Sequence, residues 1–197
     1  MGVLDRFNLL SLMTKYNLRY FIETGTGDGT SLDHSLKFSF DRYYSIELFK
    51  PIFDLALKKY EKDEDVELLN DNSEAGLTSI LKELPKDKPC LYWLDAHFPG
   101  ADYHYSDYNN ENRSRIRIPL QAELEVIKEN RPLNKDVILI DDLRIYEDGP
   151  FEAGNWDKRS TLGGNGIKFI FDLFDKTHNI ERDFRDQGYI ILTPKDI

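Results

Sequence analysis

The sequence predicts an α/β protein with a doubly wound, mostly parallel sheet and helices on both of its faces. Three observations support this prediction: short, continuously apolar runs recur along the chain, helical patterns or long connections separate them, and a glycine-rich turn directly follows the first run. Continuous apolar runs indicate strands buried on both faces, and strands that alternate with helices form right-handed crossovers in a parallel sheet. The predicted parallel strands are residues 20–22, 43–48, 66–69, 90–94 and 137–140.

Local signals predict the remaining elements. Apolar residues at helical spacing predict a helix over residues 4–16, within an N-terminal segment 1–18. Pro51, at a position that tolerates proline, begins a helix after the second strand. Further helices are expected from near Pro119 and over residues 166–176. Near the C-terminus, residues 179–184 and 188–192 flank a polar turn, which predicts two antiparallel strands.

Length, charge and cysteine content limit the class of protein. The 197 residues suit one domain, 1–197, and the formal charge of -10 repels nucleic acid and anionic membrane surfaces. We therefore expect a small-molecule substrate as partner, no nucleic acid and no membrane. The single cysteine, Cys90, excludes an internal disulfide and is expected to be a buried, inert thiol. No secretory signal or membrane span is evident, so a cytoplasmic location is expected.

Two long connections, residues 98–118 and 144–165, leave the carboxyl ends of predicted strands. Ligands bind at that edge of a parallel sheet, and connections of this length in compact domains are often lids or binding loops. We expect them to border an active site. Alternatively, they are disordered or mediate homo-oligomerisation.

The glycine-rich turn reads Glu23 Thr24 Gly25 Thr26 Gly27 Asp28 Gly29 Thr30 Ser31. A dinucleotide fingerprint requires Gly-x-Gly-x-x-Gly, but here the third glycine comes one residue early. An acidic residue two positions before the first of three alternating glycines resembles the first motif of class I S-adenosylmethionine-dependent methyltransferases. Their Rossmann-like sheet, with five parallel strands and a C-terminal antiparallel pair, extends the resemblance over nearly the whole chain.

Glu47 ends the second predicted strand, where a nucleotide-binding sheet places a carboxylate that accepts hydrogen bonds from ribose hydroxyls. Asp71, Asn72 and Ser73 end the third strand and are expected to cap the next helix. In the family that the chain resembles, this position also contacts adenine. The resemblance implies S-adenosylmethionine as the cofactor, bound by Glu23, Thr24, Gly25, Thr26, Gly27, Ser31, Glu47, Asp71, Asn72 and Asp95.

Acidic residues and a histidine follow the fourth and fifth predicted strands: Asp95 and His97 after one, Asp141 and Asp142 after the other. Two carboxylates about 4 Å apart repel by about 4 kcal/mol at an effective dielectric of about 20, so such a cluster must be solvated, protonated or bound to a cation. Carboxylate ligands suit Mg²⁺ or Mn²⁺. A polar cluster without metal, which only orients the loops, is the alternative.

The arrangement resembles metal-dependent O-methyltransferases of the catechol and macrocin kind, which implies that Asp95, Asp141 and Asp142 hold a metal. The chain departs from the catechol type at Phe98, where those enzymes have a lysine. His97 would therefore be the base that accepts the substrate proton near neutral pH, with Asp95 as the second catalytic residue.

Arginines in the two long connections are candidates for binding an anionic, sugar- or phosphate-bearing substrate: Arg113, Arg115 and Arg144. Arg113, Arg115 and Arg117 alternate before a helix and could instead pair with Glu123 and Glu125. Further candidates for lining the substrate pocket are Tyr103, Tyr105, Tyr108 and Trp156.

The leading hypothesis is therefore an S-adenosylmethionine-dependent methyltransferase that acts on a hydroxyl, or another small nucleophile, of a small metabolite with help from a divalent cation. Two alternatives stay open. One is an NAD-dependent oxidoreductase on the same kind of sheet, and the other is a non-catalytic subunit that keeps the cofactor fold.

Overall fold

The computed structural model describes residues 3–107, 115–156 and 166–195. Within these ranges the strands are β1 (Tyr20–Thr24), β2 (Arg42–Ile46), β3 (Val66–Leu69), β4 (Cys90–Leu94), β5 (Val137–Ile140), β6 (His178–Asp183) and β7 (Tyr189–Pro194). They form one sheet in the order β3-β2-β1-β4-β5-β7-β6. Strands β1 to β5 are parallel, and β7 runs antiparallel to both β5 and β6. The predicted sheet is confirmed.

The register of the central strands aligns their carboxyl ends. Every residue of β1, β4 and β5 is buried, as continuous apolar runs predict. Thr24 pairs with Ile46 of β2 and Leu94 of β4, and Leu94 pairs with Ile140 of β5. The residues that follow these four strands therefore share one edge of the sheet: Gly25, Glu47, Asp95 and Asp141.

The helices are α1 (Leu9–Tyr16), α2 (Thr30–Ser35), α3 (Lys50–Lys59), α4 (Ser73–Glu83), α5 (Leu120–Asn130) and α6 (Lys168–Phe174). Apolar residues of α4, α5 and α6 pack in one core cluster, and those of α1, α2 and α3 pack in another. Neighbouring residues of β4, such as Tyr92 and Trp93, belong to opposite clusters because successive strand residues point to opposite faces. Helices therefore cover both faces of the sheet, as predicted.

The N-terminal segment differs from its prediction. Instead of one helix over residues 4–16, a short 3₁₀ turn (Leu4–Arg6) precedes α1. Phe7 is extended, and its ring packs edge-on against Tyr189 at a centroid distance of 5.2 Å. Asn8 then begins the helix anew, because its side-chain oxygen accepts a hydrogen bond from the Ser11 N–H at 3.0 Å.

Other boundaries shift by a few residues. β2 ends at Ile46, so Glu47 lies just beyond it rather than within the predicted 43–48. α6 is shorter than the predicted 166–176. The long connections remain, since β4 ends at Leu94 before α5 begins at Leu120, and β5 ends at Ile140 before α6 begins at Lys168.

Cys90 lies on β4 as a free, fully buried thiol, as predicted. Burial raises the pKa of this thiol, which keeps it protonated and unreactive. Across the three described ranges, no helix combines the length and the apolar character that crossing a membrane requires.

Candidate functional site

A cavity of about 280 Å³ opens at the carboxyl edge of the sheet. Its walls are the glycine-rich turn after β1, Glu47 after β2, the start of α4, and the residues that follow β4 and β5. This is the position at which open α/β sheets bind ligands. The register of the central strands thus brings most of the predicted site residues to one cavity.

The turn after β1 requires glycine at two positions. Gly25 and Gly27 have φ angles of 81° and 55°, a region that side chains disfavour. A Cβ on Gly25 would lie 2.7 Å from the carbonyl oxygen of Asp95, and one on Gly27 would lie 2.9 Å from the hydroxyl of Tyr103. The turn therefore packs closely against the end of β4 and exposes its backbone to the cavity.

Glu47 is held rigidly beside this turn. Its Oε2 accepts a hydrogen bond from the Gly27 N–H at 3.1 Å, and its Oε1 accepts one from the Phe49 N–H at 2.7 Å. Burial raises the pKa of Glu47, and the two backbone hydrogen bonds oppose that rise. Since each carboxylate oxygen accepts two hydrogen bonds, both retain capacity for ligand hydroxyls.

Glu23 and Thr24 lie behind the cavity wall rather than in it. They are fully buried and absent from the lining, which does include Thr26. The Ser45 hydroxyl donates to Oε1 of Glu23 at 2.7 Å and lies 2.5 Å from the Thr26 hydroxyl. Burial raises the pKa of Glu23 to about 8. Glu23 therefore supports the turn from below, and direct contact of Glu23 or Thr24 with a cofactor stays a prediction.

Of the three residues after β3 that were predicted to cap the next helix, Asn72 is the cap of α4. The side-chain oxygen of Asn72 accepts a hydrogen bond from the Ala75 N–H at 3.0 Å at the start of α4. Asp71, Asn72 and Ser73 also line the cavity, as does Ser31 of α2. Asp71, Asn72 and Ser73 are therefore exposed to the cavity, where they were predicted to contact adenine.

The acidic residues after β4 and β5 converge with His97, as predicted. Asp142 has a left-handed backbone, with φ of 55°, and its carboxylate contacts His97, which follows β4. Asp141 is buried, and neither of its carboxylate oxygens has a hydrogen-bond partner in the described residues. Burial and the Asp142 charge raise the pKa of Asp141 to about 7, and burial and the Asp141 charge raise that of Asp95. Of the three carboxyls, Asp141 is therefore the one without a side-chain partner among the described residues.

His97 forms an ion pair within this cluster. Its Nε2 lies 2.6 Å from Oδ2 of Asp142, and its Nδ1 lies 3.5 Å from Oδ1 of Asp95. Burial lowers the pKa of His97, but the Asp142 and Asp95 charges outweigh burial and raise it to about 10. His97 is therefore a cation at neutral pH in this arrangement, which differs from the expected base that accepts a proton there.

The predicted metal ligands do not form a metal site as they stand. In the part of the chain that the structure describes, no three His, Cys, Asp or Glu side chains are grouped so that they could hold one ion. His97 lies between Asp95 and Asp142, where it supplies the positive charge. The donor set nevertheless fits a hard divalent cation chemically, because the buried oxygens of Asp141 lack partners and are carboxylate ligands.

The predicted substrate arginines differ in their surroundings. Arg113 lies outside the described residues. Arg115 is exposed and pairs with Glu74 at 3.0 Å and Glu125 at 2.8 Å, as the alternative interpretation expected. Arg117 is buried, and its guanidinium lies 4.8 Å from the centre of the Phe98 ring. Of the described arginines in the two connections, Arg144 alone lines the cavity.

Two features of the site lacked a clear sequence signal. Tyr103 covers the glycine turn from the long connection after β4, where no spacing distinguishes it from Tyr105. Tyr105 stacks on Phe49 at 4.7 Å and does not line the cavity. Among the described residues, Glu123 pairs with no arginine, in contrast to the alternative stated for the sequence. It is buried on α5 behind the cavity lining, and burial raises its pKa to about 7. The sequence signal for this burial was the position of Glu123 on the apolar face of α5.

No protein-family model matches the sequence, and no curated protein is similar to it. Solved structures do match. A Podospora anserina methyltransferase bound to S-adenosylhomocysteine has 16% identity and a TM-score of 0.59, over 95% of this chain and 76% of that one. A Bacillus cereus O-methyltransferase, also with S-adenosylhomocysteine, has 16% identity and a TM-score of 0.58, over 95% and 79%.

A third match is the Streptomyces achromogenes O-methyltransferase TomG, in complex with S-adenosylmethionine, with 14% identity and a TM-score of 0.54, over 94% of this chain and 77% of that one. At these identities the similarity establishes the fold. The chain therefore has the Rossmann-like fold of these methyltransferases, which confirms the predicted resemblance at the level of architecture.

Proposed function

We propose that the protein transfers a methyl group from S-adenosylmethionine to an oxygen of a small molecule. One observation carries the proposal: Glu47, at the end of β2, is bonded to the backbone of the glycine turn and faces the cavity with spare acceptor capacity. A vicinal diol is the ligand group that such a carboxylate matches best.

The cavity supports a definite placement of the cofactor. The ribose would lie against Glu47, the adenine near Asp71 and Asn72, and the methionine part along the backbone of Gly25 and Gly27. Asp95 would then face the reactive end of the cofactor, since its carbonyl already packs against Gly25.

The cofactor supplies a methyl group already activated by a sulfonium, so the protein must chiefly hold the acceptor oxygen in line with it, about 3 to 3.5 Å away. The acceptor oxygen forms a bond to the methyl carbon as the carbon–sulfur bond breaks, and the electron pair of that bond stays on sulfur. The proton of the acceptor then passes to a group at the ends of β4 and β5. The residues that we propose for this step are His97 and Asp95, because both line the cavity.

His97 can accept this proton only after it loses the one that Asp142 stabilises. A divalent cation, Mg²⁺ or Mn²⁺, held by Asp95, Asp141 and Asp142 would neutralise the carboxylates that keep His97 protonated and would stabilise the developing alkoxide. The proposed mechanism therefore includes the divalent cation as well as His97 and Asp95.

Calorimetric titration tests the cofactor assignment. The wild-type protein should bind S-adenosylhomocysteine and should not bind NAD. Glu47→Gln should weaken S-adenosylhomocysteine binding by about 10- to 100-fold, because hydrogen bonds to a charged acceptor contribute about 1.5–3 kcal/mol. Glu67→Gln, at an exposed position of β3, is the matched control and should bind as wild type does. Preferential binding of NAD would contradict the proposal in favour of an oxidoreductase.

A methyl-transfer assay separates an enzyme from a non-catalytic subunit. Labelled S-adenosylmethionine is incubated with a panel of hydroxylated metabolites, and Asp95→Ala should abolish any transfer that the wild type performs. Asp172→Ala, at an exposed position of α6, should leave transfer unchanged. Equal transfer by Asp95→Ala and the wild type would contradict the assigned role of Asp95.

A further inference from the structure

Arg144 lies at the side of the cavity away from Glu47. It follows β5 in a short 3₁₀ turn (Leu143–Ile145), whereas Glu47 follows β2. Strands β1 and β4 separate these two strands in the sheet. If the cofactor lies along the ends of β2 and β1, the part of the cavity beside Arg144 is left for the acceptor.

The guanidinium of Arg144 is nearly buried and poorly satisfied. Its side chain is 15% exposed, and its Nε has no hydrogen-bond partner among the described residues. Nε lies 3.7 Å from Oδ1 of Asp142, which is too long for a hydrogen bond, and Nη1 reaches the carbonyl oxygen of Ala153 at 3.5 Å. Asp142 is engaged by His97 through its other oxygen. Within the described part of the chain, the Arg144 guanidinium therefore makes one long hydrogen bond and leaves its buried Nε without an acceptor.

An aromatic ring lies against this guanidinium. Arg144 lies 5.0 Å from the centre of the Trp156 ring, and Trp156 stacks on Phe98 at 5.7 Å with an interplanar angle of 13°. Arg117 in turn lies 4.8 Å from the centre of the Phe98 ring. A cation–π contact engages the charge of a guanidinium without using its N–H donors, so the donors of Arg144 stay available to a ligand.

We propose that Arg144 binds an anionic group, a phosphate or a carboxylate, carried by the methyl acceptor. The inference rests on the proposed function, because it assigns this part of the cavity to the acceptor. A planar fork with unfilled donors matches the paired oxygens of either anion, and the acidic cluster beside it would receive the acceptor hydroxyl. The acceptor class is thus a hydroxylated phosphate or carboxylate.

The test uses inorganic phosphate and acetate as probes, titrated by calorimetry into the full-length protein saturated with S-adenosylhomocysteine. The saturation step itself reports the proposed function: a protein that fails to bind S-adenosylhomocysteine contradicts that function, and the anion titrations on the unliganded protein then still report on Arg144. Stronger binding of phosphate than of acetate supports a phosphorylated acceptor, and the reverse supports a carboxylated one.

Arg144→Gln should weaken binding of the preferred anion by at least about tenfold, since it removes a charge-assisted bidentate contact. Its affinity for S-adenosylhomocysteine should stay within about threefold of wild type, because Glu47 and the glycine turn are distant from Arg144 in the sheet order. Arg115→Gln is the matched control: this arginine is exposed, lies outside the cavity and should leave anion binding unchanged.

If Arg144→Gln lowers the melting temperature of the protein, Arg144→Lys serves in its place. This variant keeps the positive charge without the planar fork, and its affinity for the anion should still fall several-fold. Wild-type binding of neither probe, or equal binding by wild type and both Arg144 variants, would overturn the inference while leaving cofactor binding intact.

Discussion

Nε2 of His97 lies 2.6 Å from Oδ2 of Asp142, so the segment after β4 is bonded to the segment after β5. The contact joins the two strand ends that bound the acceptor side of the cavity. It also determines the charge of the imidazole, since a buried carboxylate at this distance stabilises the protonated form. Whether His97 is protonated therefore depends on which cation pairs with the Asp142 carboxylate.

Removal of the Asp142 charge should lower the pKa of His97. The wild-type value is raised to about 10, and Asp142→Asn should bring it toward the ordinary value of 6.5, because the imidazolium loses its main stabilising charge. NMR titration of the His97 ring measures this directly. Asp172→Asn, at an exposed carboxylate of α6, should leave the His97 titration unchanged. A wild-type His97 that titrates near 6.5 would contradict the assigned ion pair.

Manganese should bind at the acidic cluster. Asp141 supplies two buried oxygens without partners, so Asp141→Asn should weaken Mn²⁺ binding by at least about tenfold. Electron paramagnetic resonance of free Mn²⁺ during titration gives the affinity, with Asp172→Asn as the control. If wild type and Asp141→Asn bind Mn²⁺ with the same affinity, the metal does not use this cluster.

Glu23 should make the folded protein less stable at alkaline pH. Its pKa is raised to about 8 from 4.5, so the folded state keeps a proton that the unfolded chain releases. The stability that this proton contributes is fully present below about pH 4.5 and is lost as the pH rises through about 8. Glu23→Gln cannot ionise. Its free energy of unfolding should exceed that of wild type at about pH 8.5, by on the order of 2 to 4 kcal/mol.

Urea denaturation at about pH 5 and about pH 8.5 tests this sign. The difference between Glu23→Gln and wild type should shrink at the lower pH, because most of the pH-dependent loss builds up between the unfolded-state pKa of 4.5 and the folded-state pKa of about 8. The exposed Glu67→Gln should show no such dependence on pH. A Glu23→Gln difference that is equal at both pH values would contradict the raised pKa.

Alanine at Gly25 should be more costly than alanine at Gly154. Both glycines have positive φ, of 81° and 77°, which costs a side chain about 1–2 kcal/mol. A Cβ at Gly25 would also meet the Asp95 carbonyl at 2.7 Å, whereas one at Gly154 meets nothing within 4 Å. Crowding of this kind adds about 1–3 kcal/mol. Equal losses of unfolding free energy in the two variants would show that the turn does not pack against β4 as described.

Much of the fold could be predicted because continuous apolar runs mark strands buried on both faces. The prediction of residues 137–140 and 90–94 matched β5 and β4, since both strands lie inside the sheet. The break at Phe7 was missed although Asn8 is a capping residue. Leu4, Phe7 and Leu10 keep helical spacing across that break, yet Leu10 is 63% exposed, and the buried residues Leu4 and Leu9 enter the same core cluster from separate elements.

The site was predictable where strand ends determine position and not where side-chain packing does. Glu47, Asp95 and Asp141 follow parallel strands, and parallel register brings such residues together. Arg144 and Trp156, whose side chains are in contact, both lie in the irregular connection after β5. Because that connection has no periodic pattern, the sequence could not predict this contact. The protonated state of His97 likewise depends on which carboxylate it approaches most closely, a property of the folded chain.

The central claim is that the cavity at the strand ends holds S-adenosylmethionine with its ribose on Glu47. A crystal structure grown with S-adenosylhomocysteine and Mn²⁺ tests it most directly. The ribose hydroxyls should lie within hydrogen-bond distance of the Glu47 carboxylate, and the sulfur should face the end of β4. A nucleoside bound elsewhere, or a Glu47 that makes no contact with it, would show that this cavity does not bind the cofactor in that way.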